Sequence, residues 1–121
     1  MVELFGKFCD DTVSLDSRTG RLPKFDAIAS HQPETPDGGM YVVADSQGKR
    51  WCATVQERAV NEAVISQFDT FCRSQLPKPT RKVVIMNSTM DPNVRLLAKA
   101  ANMWVWEATE INRLLELYGQ L

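Results

Sequence analysis

The spacing of apolar and polar residues changes period along the second part of the chain, and these changes predict its elements. Residues 40–45 and 51–56 are apolar runs of strand length on either side of turn residues 46–49, which predicts a β-hairpin. A helix is predicted over about 60–75, because apolar residues recur there at helical spacing, at Val60, Val64, Phe68, Phe71 and Cys72. Two prolines follow and end this helix, since proline lacks the backbone donor that a helix needs.

The last third of the chain repeats a strand-then-helix order. Residues 82–86 form a continuous apolar run, which is typical of a strand buried on both faces. Asp91 followed by Pro92 predicts a helix start, with aspartate as the N-cap and proline in the first helical position. A second short strand is expected over 103–107, and Thr109 then caps the last helix.

These elements together predict the fold class. The two strands that flank the helix over 92–102 are expected to be parallel, because a crossover helix returns the chain to the same end of the sheet. The prediction is an α/β fold in which a mixed central sheet, a β-hairpin plus a parallel βαβ unit, is flanked by helices. A chain of 121 residues fits one domain, so residues 1–121 are interpreted as a single domain.

Residues 1–39 are interpreted as a loop-rich N-terminal part of this domain. Turn residues cluster there at three places, which are residues 10–11, 17–20 and 32–39. Short strands are expected between them, at residues 3–9, 12–15 and 25–29. A helical turn near Asp26 is the alternative for the last of these. The chain's one histidine, His31, falls in a polar loop, and its being alone excludes a site with several histidine ligands.

Composition and charge narrow the class of protein. Hydrophobic residues make up 44% of the chain, which is too much for an intrinsically disordered protein. The formal net charge of -1 provides no overall basic field, so only a local basic face would attract nucleic acid. The sequence contains neither an apolar run of about 20 residues nor a signal-peptide core, so we expect a cytoplasmic protein without membrane contact.

The three cysteines, Cys9, Cys52 and Cys72, are odd in number and widely spaced. No Cys-x-x-Cys pair is present, so neither a zinc site nor a disulfide framework is indicated. Buried free thiols in a reducing compartment are the expectation.

A motif around the predicted hairpin carries a resemblance. Asp37-Gly38-Gly39 leads into the strand at 40–45, and a glycine-containing turn then leads to Val55-Gln56-Glu57-Arg58 and a helix. This order resembles the Mrr-type branch of the PD-(D/E)XK, or restriction-endonuclease-like, superfamily. There, a glycine-containing loop precedes a strand with an acidic metal ligand, and the next strand ends in Glu or Gln, any residue, and Lys. The resemblance implies a restriction-endonuclease-like core.

The chemistry of such a motif is hydrolysis of a phosphodiester bond. A divalent cation stabilises the charge that develops on phosphorus and generates hydroxide from water. Magnesium prefers hard oxygen ligands, usually one or two carboxylates with waters. A neighbouring lysine orients the attacking water and neutralises developing charge.

This chain departs from the family pattern at two positions. Tyr41 stands at the position of the acidic ligand, and Arg58 stands at the position of the lysine. The Arg58 guanidinium does not act as a base, but it can bind a phosphate through two parallel hydrogen bonds. Gln56 fits the glutamine variant of the motif without supplying charge. The resemblance therefore implies Gln56, Glu57 and Arg58 as catalytic positions. Nearby carboxylates are candidate substitute metal ligands, Asp26 and Asp45 foremost, with Glu57 and Asp37 as further candidates.

Three functions remain open. The first is a catalytically degenerate restriction-endonuclease-like domain that binds DNA or RNA, or a protein partner, in a DNA-processing system. Its contacts with phosphate would be Arg58, Lys49 and Arg50. The second is an active nuclease that requires Mg²⁺, and the third is a scaffold without a nucleic-acid role. A purely structural interpretation is also open, in which residues 56–58 are only the polar end of a strand and the start of a helix.

Overall fold

The computed structural model describes residues 5–8, 10–15, 18–31, 40–56, 60–75, 78–86 and 89–118. Seven strands and three helices lie within these ranges. They are β1 (Asp11–Leu15), β2 (Arg18–Leu22), β3 (Ala27–His31), β4 (Met40–Ser46), β5 (Lys49–Gln56), α1 (Glu62–Arg73), β6 (Arg81–Met86), α2 (Pro92–Ala100), β7 (Met103–Trp106) and α3 (Ala108–Tyr118).

The central sheet has five strands in the order β3-β4-β5-β6-β7, and β1 pairs with β2 in a separate antiparallel hairpin. Both β3 and β5 run antiparallel to β4, whereas β5, β6 and β7 run parallel to one another. The predicted fold class, a mixed sheet flanked by helices, is thereby confirmed. The two strands around α2 are neighbouring and parallel, as a crossover helix requires.

The turn between β4 and β5 sets the register of the hairpin. Gln47 and Gly48 have φ angles of 51° and 78°. Positive φ at both central positions is what a two-residue type I′ turn requires, and its twist matches that of the strands. Ser46 consequently faces Lys49, and Met40 faces Val55 at the other end.

The two helices after the hairpin begin at side-chain caps. The Asn61 side chain accepts a hydrogen bond from the Val64 backbone N–H at 3.0 Å, at the start of α1. The Asp91 side chain accepts one from the Asn93 N–H at 2.8 Å, and Pro92 opens α2, as the sequence predicts.

Alternation along the strands divides the core into two layers. The layer on one face lies under the β1–β2 hairpin and α3 and is rich in aromatic rings, and it includes Phe5, Phe8, Trp51, Trp104, Trp106 and Leu114. The layer on the other face lies under α1 and α2 and includes Tyr41, Cys52, Phe68, Cys72, Val84 and Val105. Both faces of β5, β6 and β7 are thus covered, as expected for parallel strands.

The N-terminal part differs from its sequence prediction at three places. Residues 17–20 were expected to form a loop, but residues 18–22 form β2, which hydrogen bonds to β1. Gly20 serves close packing there, because a Cβ at this position would lie 2.8 Å from the Trp104 ring. His31 ends β3 instead of lying in a loop, where it pairs with Tyr41. Residues 5–7 lie in a helical turn where a strand was expected.

Spacing explains the helical turn. Phe5 and Phe8 are three residues apart, and a helical turn brings both rings into the aromatic layer. The strand expected at 12–15 is confirmed by β1, and the one expected at 25–29 lies two residues later, as β3. The loop expected at 32–39 lies outside the described residues, as do Cys9, Glu57 and Arg58.

Trp104 and Trp106 provide a matched test of this core. Both are fully buried, but only the Trp104 indole N–H donates a hydrogen bond, to the Leu15 carbonyl oxygen at 2.9 Å. The Trp106 indole nitrogen has no partner among the described residues. We expect Trp104→Phe to lower the free energy of unfolding by about 1–2 kcal/mol more than Trp106→Phe, since both remove similar volume. Urea denaturation measures the difference, and equal losses would contradict it.

Candidate functional site

The carboxyl-terminal ends of β5 and β6 lie side by side at one end of the sheet. We call this end of the sheet the carboxyl edge. Gln56 pairs with Met86 there, and the register of β6 with β7 places Glu107 next in the same row. Period-two alternation puts these three side chains on the face covered by α1 and α2. Ligands of open α/β sheets bind beyond the carboxyl ends of the strands, so this edge is the candidate site.

Gln56 ends β5 as a buried, neutral group. Its side chain is almost inaccessible, and its Nε2 donates a hydrogen bond to the Thr54 Oγ1 at 2.7 Å. Thr54 lies two residues earlier on the same face and pairs across the hairpin with Tyr41. The position that the motif assigns to a ligand or catalytic group therefore holds an amide that hydrogen bonds within its own strand.

Tyr41 occupies the position where the resemblance places an acidic ligand. Its ring packs on two phenylalanines of α1, with centroid distances of 4.4 Å to Phe71 and 5.9 Å to Phe68. Burial raises the pKa of the Tyr41 phenol above its ordinary value of 10, and the neighbouring Cys72 raises it further. A neutral phenol that packs against phenylalanine rings is a poor ligand for a divalent cation.

Glu107 is a carboxylate at this edge that the sequence motif does not include. It is 7% exposed, accepts a hydrogen bond from the Met90 backbone N–H at 2.6 Å and forms an ion pair with Arg95. The Glu107 carbonyl also accepts from the Ile111 N–H at 3.0 Å. Glu107 therefore ties the segment before α2 to the start of α3. An acidic residue directly after a buried strand was the sequence signal for it.

Asp26 and Asp45 lie at the opposite edge, beside the β4–β5 turn. Asp45 forms a two-pronged ion pair with Arg50, at 2.8 Å to Nε and 3.1 Å to Nη2. Asp26 accepts a hydrogen bond from the Gln47 N–H at 3.0 Å, and its own N–H donates to the Asp45 carbonyl at 2.7 Å. Both carboxylates thus hold the turn in place.

The two predicted phosphate contacts at this turn differ in accessibility. The Arg50 guanidinium is occupied by Asp45 and also donates to the Gln75 Oε1 at 3.2 Å. Lys49 is exposed and lines a cavity of about 140 Å³ together with Arg21 and Trp51. Lys49 is therefore the residue of this pair that faces solvent.

The structure does not bring the candidate metal ligands to Gln56. Asp45 pairs with Arg50, and Gln56 lies six residues further along β5, about 20 Å away at 3.3 Å per residue. Among the described residues at the hairpin's end of the carboxyl edge, Tyr41, Thr54 and Gln56 are neutral, so they do not fit magnesium, which takes charged oxygen ligands. Within the described ranges, no group of three or more histidine, cysteine or acidic residues is placed to hold a metal ion.

Comparison with known proteins gives no match with a protein-family model, a curated protein or a solved structure. Of the helices in the described ranges, none has the length and apolar character that crossing a bilayer requires.

The buried phenol of Tyr41 predicts a change of stability at alkaline pH. Its pKa is raised by burial, so the unfolded chain loses this proton first as the pH rises above about 10. The contribution of Tyr41 is complete below that pH and is lost as the pH rises through the folded-state pKa. We expect the free energy of unfolding to fall more steeply above pH ~10 in the wild type than in Tyr41→Phe. Urea denaturation across this range tests it, and parallel curves would refute it.

Proposed function

We propose that this chain is a restriction-endonuclease-like domain that does not cleave phosphodiester bonds by itself and that binds nucleic acid in a DNA-processing system. The order of elements from β4 to α3 supports this proposal, because it is the order that the resemblance implies. A hairpin, a helix and a parallel βαβ unit follow one another, and Gln56 ends the second hairpin strand.

One observation supports the proposed loss of catalysis. Tyr41 and Gln56 stand at the positions where the resemblance places metal ligands, and with Thr54 they form a neutral group on the face covered by α1. Metal-dependent hydrolysis needs negative charge to hold the cation and generate hydroxide. A cation at this place would be desolvated against phenylalanine rings without a compensating charge, which is strongly unfavourable.

The position of the aspartates supports the same conclusion. An active site built on Asp26 or Asp45 would need one of them beside Gln56. Both instead fix the turn at the other end of the hairpin, where Arg50 neutralises Asp45. These interactions give both carboxylates a structural role at the turn.

Binding of nucleic acid remains chemically reasonable after catalysis is lost. A guanidinium contacts phosphate through two hydrogen bonds, and Arg58 occupies the motif position of a lysine. Lys49 is exposed at the start of β5, about 23 Å along the strand from Gln56. At 3.4 Å per base pair, a duplex shorter than about 7 base pairs would not reach both ends of β5.

The first prediction of this proposal is absence of cleavage. Incubated with Mg²⁺ or Mn²⁺, the purified protein should leave single- and double-stranded DNA and RNA intact, because Tyr41 and Gln56 provide no negative charge for the cation. Gel analysis of end-labelled substrates measures this, with an unrelated metal-dependent nuclease as positive control. Cleavage that disappears in Asp26→Asn or Asp45→Asn would overturn the proposal and favour the active nuclease.

The second prediction is weak, salt-sensitive binding. Arg58→Ala and Lys49→Ala should each reduce affinity for a long oligonucleotide and lower the slope of log affinity against log salt by about 0.7–0.9. Fluorescence anisotropy at several salt concentrations measures both quantities. Arg113→Ala is the matched control, since it removes an exposed positive charge from α3. If no oligonucleotide binds at low salt, the nucleic-acid role is wrong and the scaffold becomes the better explanation.

A further inference from the structure

Basic side chains collect at the end of the sheet opposite the carboxyl edge, which we call the turn edge. The β4–β5 turn, the ends of α1 and α2 and the start of β6 lie there, because each crossover helix returns the chain to this end. The turn edge comprises residues 24–26, 45–50, 69–75, 78–82 and 99–102. These ranges contain eight basic and three acidic residues, so the formal charge of the turn edge is +5.

The net charge of the chain does not show this concentration of cations. The whole chain has a formal charge of -1, so the residues outside the turn edge together have a formal charge of -6. A nearly neutral protein needs a local basic face to attract nucleic acid, and the fold forms one here from separate segments of the chain. The attractive field for a polyanion is therefore centred on the turn edge.

Hydrogen bonds join the segments of the turn edge into one surface. Arg50 follows Lys49 in the chain, and its guanidinium donates a hydrogen bond to the Gln75 Oε1 at 3.2 Å, just beyond α1. The Arg50 carbonyl accepts a hydrogen bond from the Thr80 N–H at 2.8 Å, which holds the segment that contains Lys78 against the start of β5. The basic residues of the turn and those around the end of α1 therefore lie on a continuous surface.

A cavity of about 330 Å³ lies in this surface, where the end of α1, the start of β6 and the end of α2 meet. Arg73, Lys78 and Lys82 line it together with one acidic residue, Asp69. The Asp69 carboxylate pairs with Arg73 at 2.8 Å and with Lys82 at 3.3 Å, so two cations share one acidic group. The lining keeps a formal charge of +2, which suits a phosphate group, since arginine and lysine are common phosphate contacts.

We propose that the turn edge binds the phosphate backbone of a nucleic-acid duplex, with Arg73, Lys78 and Lys82 around the cavity and Lys49 at the turn. This inference rests on the proposed nucleic-acid role. It names the surface that makes the contact, and of the phosphate contacts proposed from the sequence it keeps Lys49 and does not need Arg58. Contacts to phosphates alone make the binding independent of base sequence.

The burial of the tryptophans favours a duplex over a single strand. Proteins that bind single strands without sequence preference stack the bases on aromatic side chains. Trp51, Trp104 and Trp106 are at most 6% exposed, and the Arg81 guanidinium lies over the rings of Trp51 and Trp104, at 5.7 and 4.8 Å from their centroids. The tryptophan rings are thus closed to bases. A duplex, with one negative charge per about 1.7 Å of its axis, is the better partner for a surface of cations.

The test measures binding of the full chain to a labelled DNA duplex by fluorescence anisotropy at several salt concentrations. Arg73→Gln and Lys78→Gln each remove one exposed positive charge from the cavity, and the Arg73 side chain is 79% exposed. Each should lower the slope of log affinity against log salt by about 0.9, and the two combined by about 1.8. Arg113→Gln is the matched control, because it removes one exposed positive charge from α3, and it should leave the slope unchanged.

A second measurement uses the wild type alone, so it does not depend on the folding of any variant. Bound duplex should protect Lys78 from acetylation by acetic anhydride, as measured by mass spectrometry of the peptides. Equal acetylation of Lys78 with and without the duplex would overturn the inference.

The remaining outcomes separate this inference from the proposed function. If Arg58→Ala lowers the slope and the combined Arg73→Gln and Lys78→Gln variant does not, the domain binds nucleic acid but the turn edge is not the surface. If the wild type binds no duplex and no single strand at low salt, both the inference and the proposed function are wrong. Tighter binding of a single strand than of a duplex of the same length would refute the choice of a duplex.

Discussion

Burial of β5, β6 and β7 on both faces is the constraint on which the rest of this structure depends. Parallel strands leave two apolar faces to be covered, and alternation along each strand sorts its side chains between them. On one face the large side chains are Trp51, Trp104 and Trp106, and the β1–β2 hairpin and α3 pack over them and exclude water. The opposite face carries smaller strand residues, among them Cys52 and Val84, and α1 and α2 pack directly on it.

Two groups of polar residues lie where this buried sheet ends. At the turn edge, the ion pair of Asp45 and Arg50 closes the β4–β5 hairpin, and the Arg50 guanidinium also contacts Gln75 beyond α1. At the carboxyl edge, Glu107 joins Arg95 and the Met90 N–H. Glu107, which is buried, and Asp45, which is partly buried, are both paired, and an unpaired buried charge would be strongly destabilising. Within the described ranges these carboxylates therefore link neighbouring secondary-structure elements.

The same packing explains the chemistry of the candidate site. Covering the β4–β5 face with α1 brings Phe68 and Phe71 onto Tyr41, and on the same face Gln56 donates a short hydrogen bond to the Thr54 hydroxyl. It also buries Cys52 and Cys72 in the same layer. Under α1, aromatic packing thus stands where the resemblance places a metal.

The sequence by itself determined β4 to β7 and the three helices, because their apolar spacing is a local property of the chain. Thr109, which was expected to cap the last helix, lies inside α3, since this helix begins at Ala108. It also indicated parallel pairing around α2. Tertiary structure alone decided β2, since Arg18, Thr19 and Gly20 have no strand pattern and pair only because β1 and Trp104 lie beside them. The site was decided in the same way. Sequence reasoning grouped Asp45 with Gln56 by nearness in the chain, but an extended strand separates its ends, whereas sheet order and helix packing unite residues as distant as Glu107 and Met90.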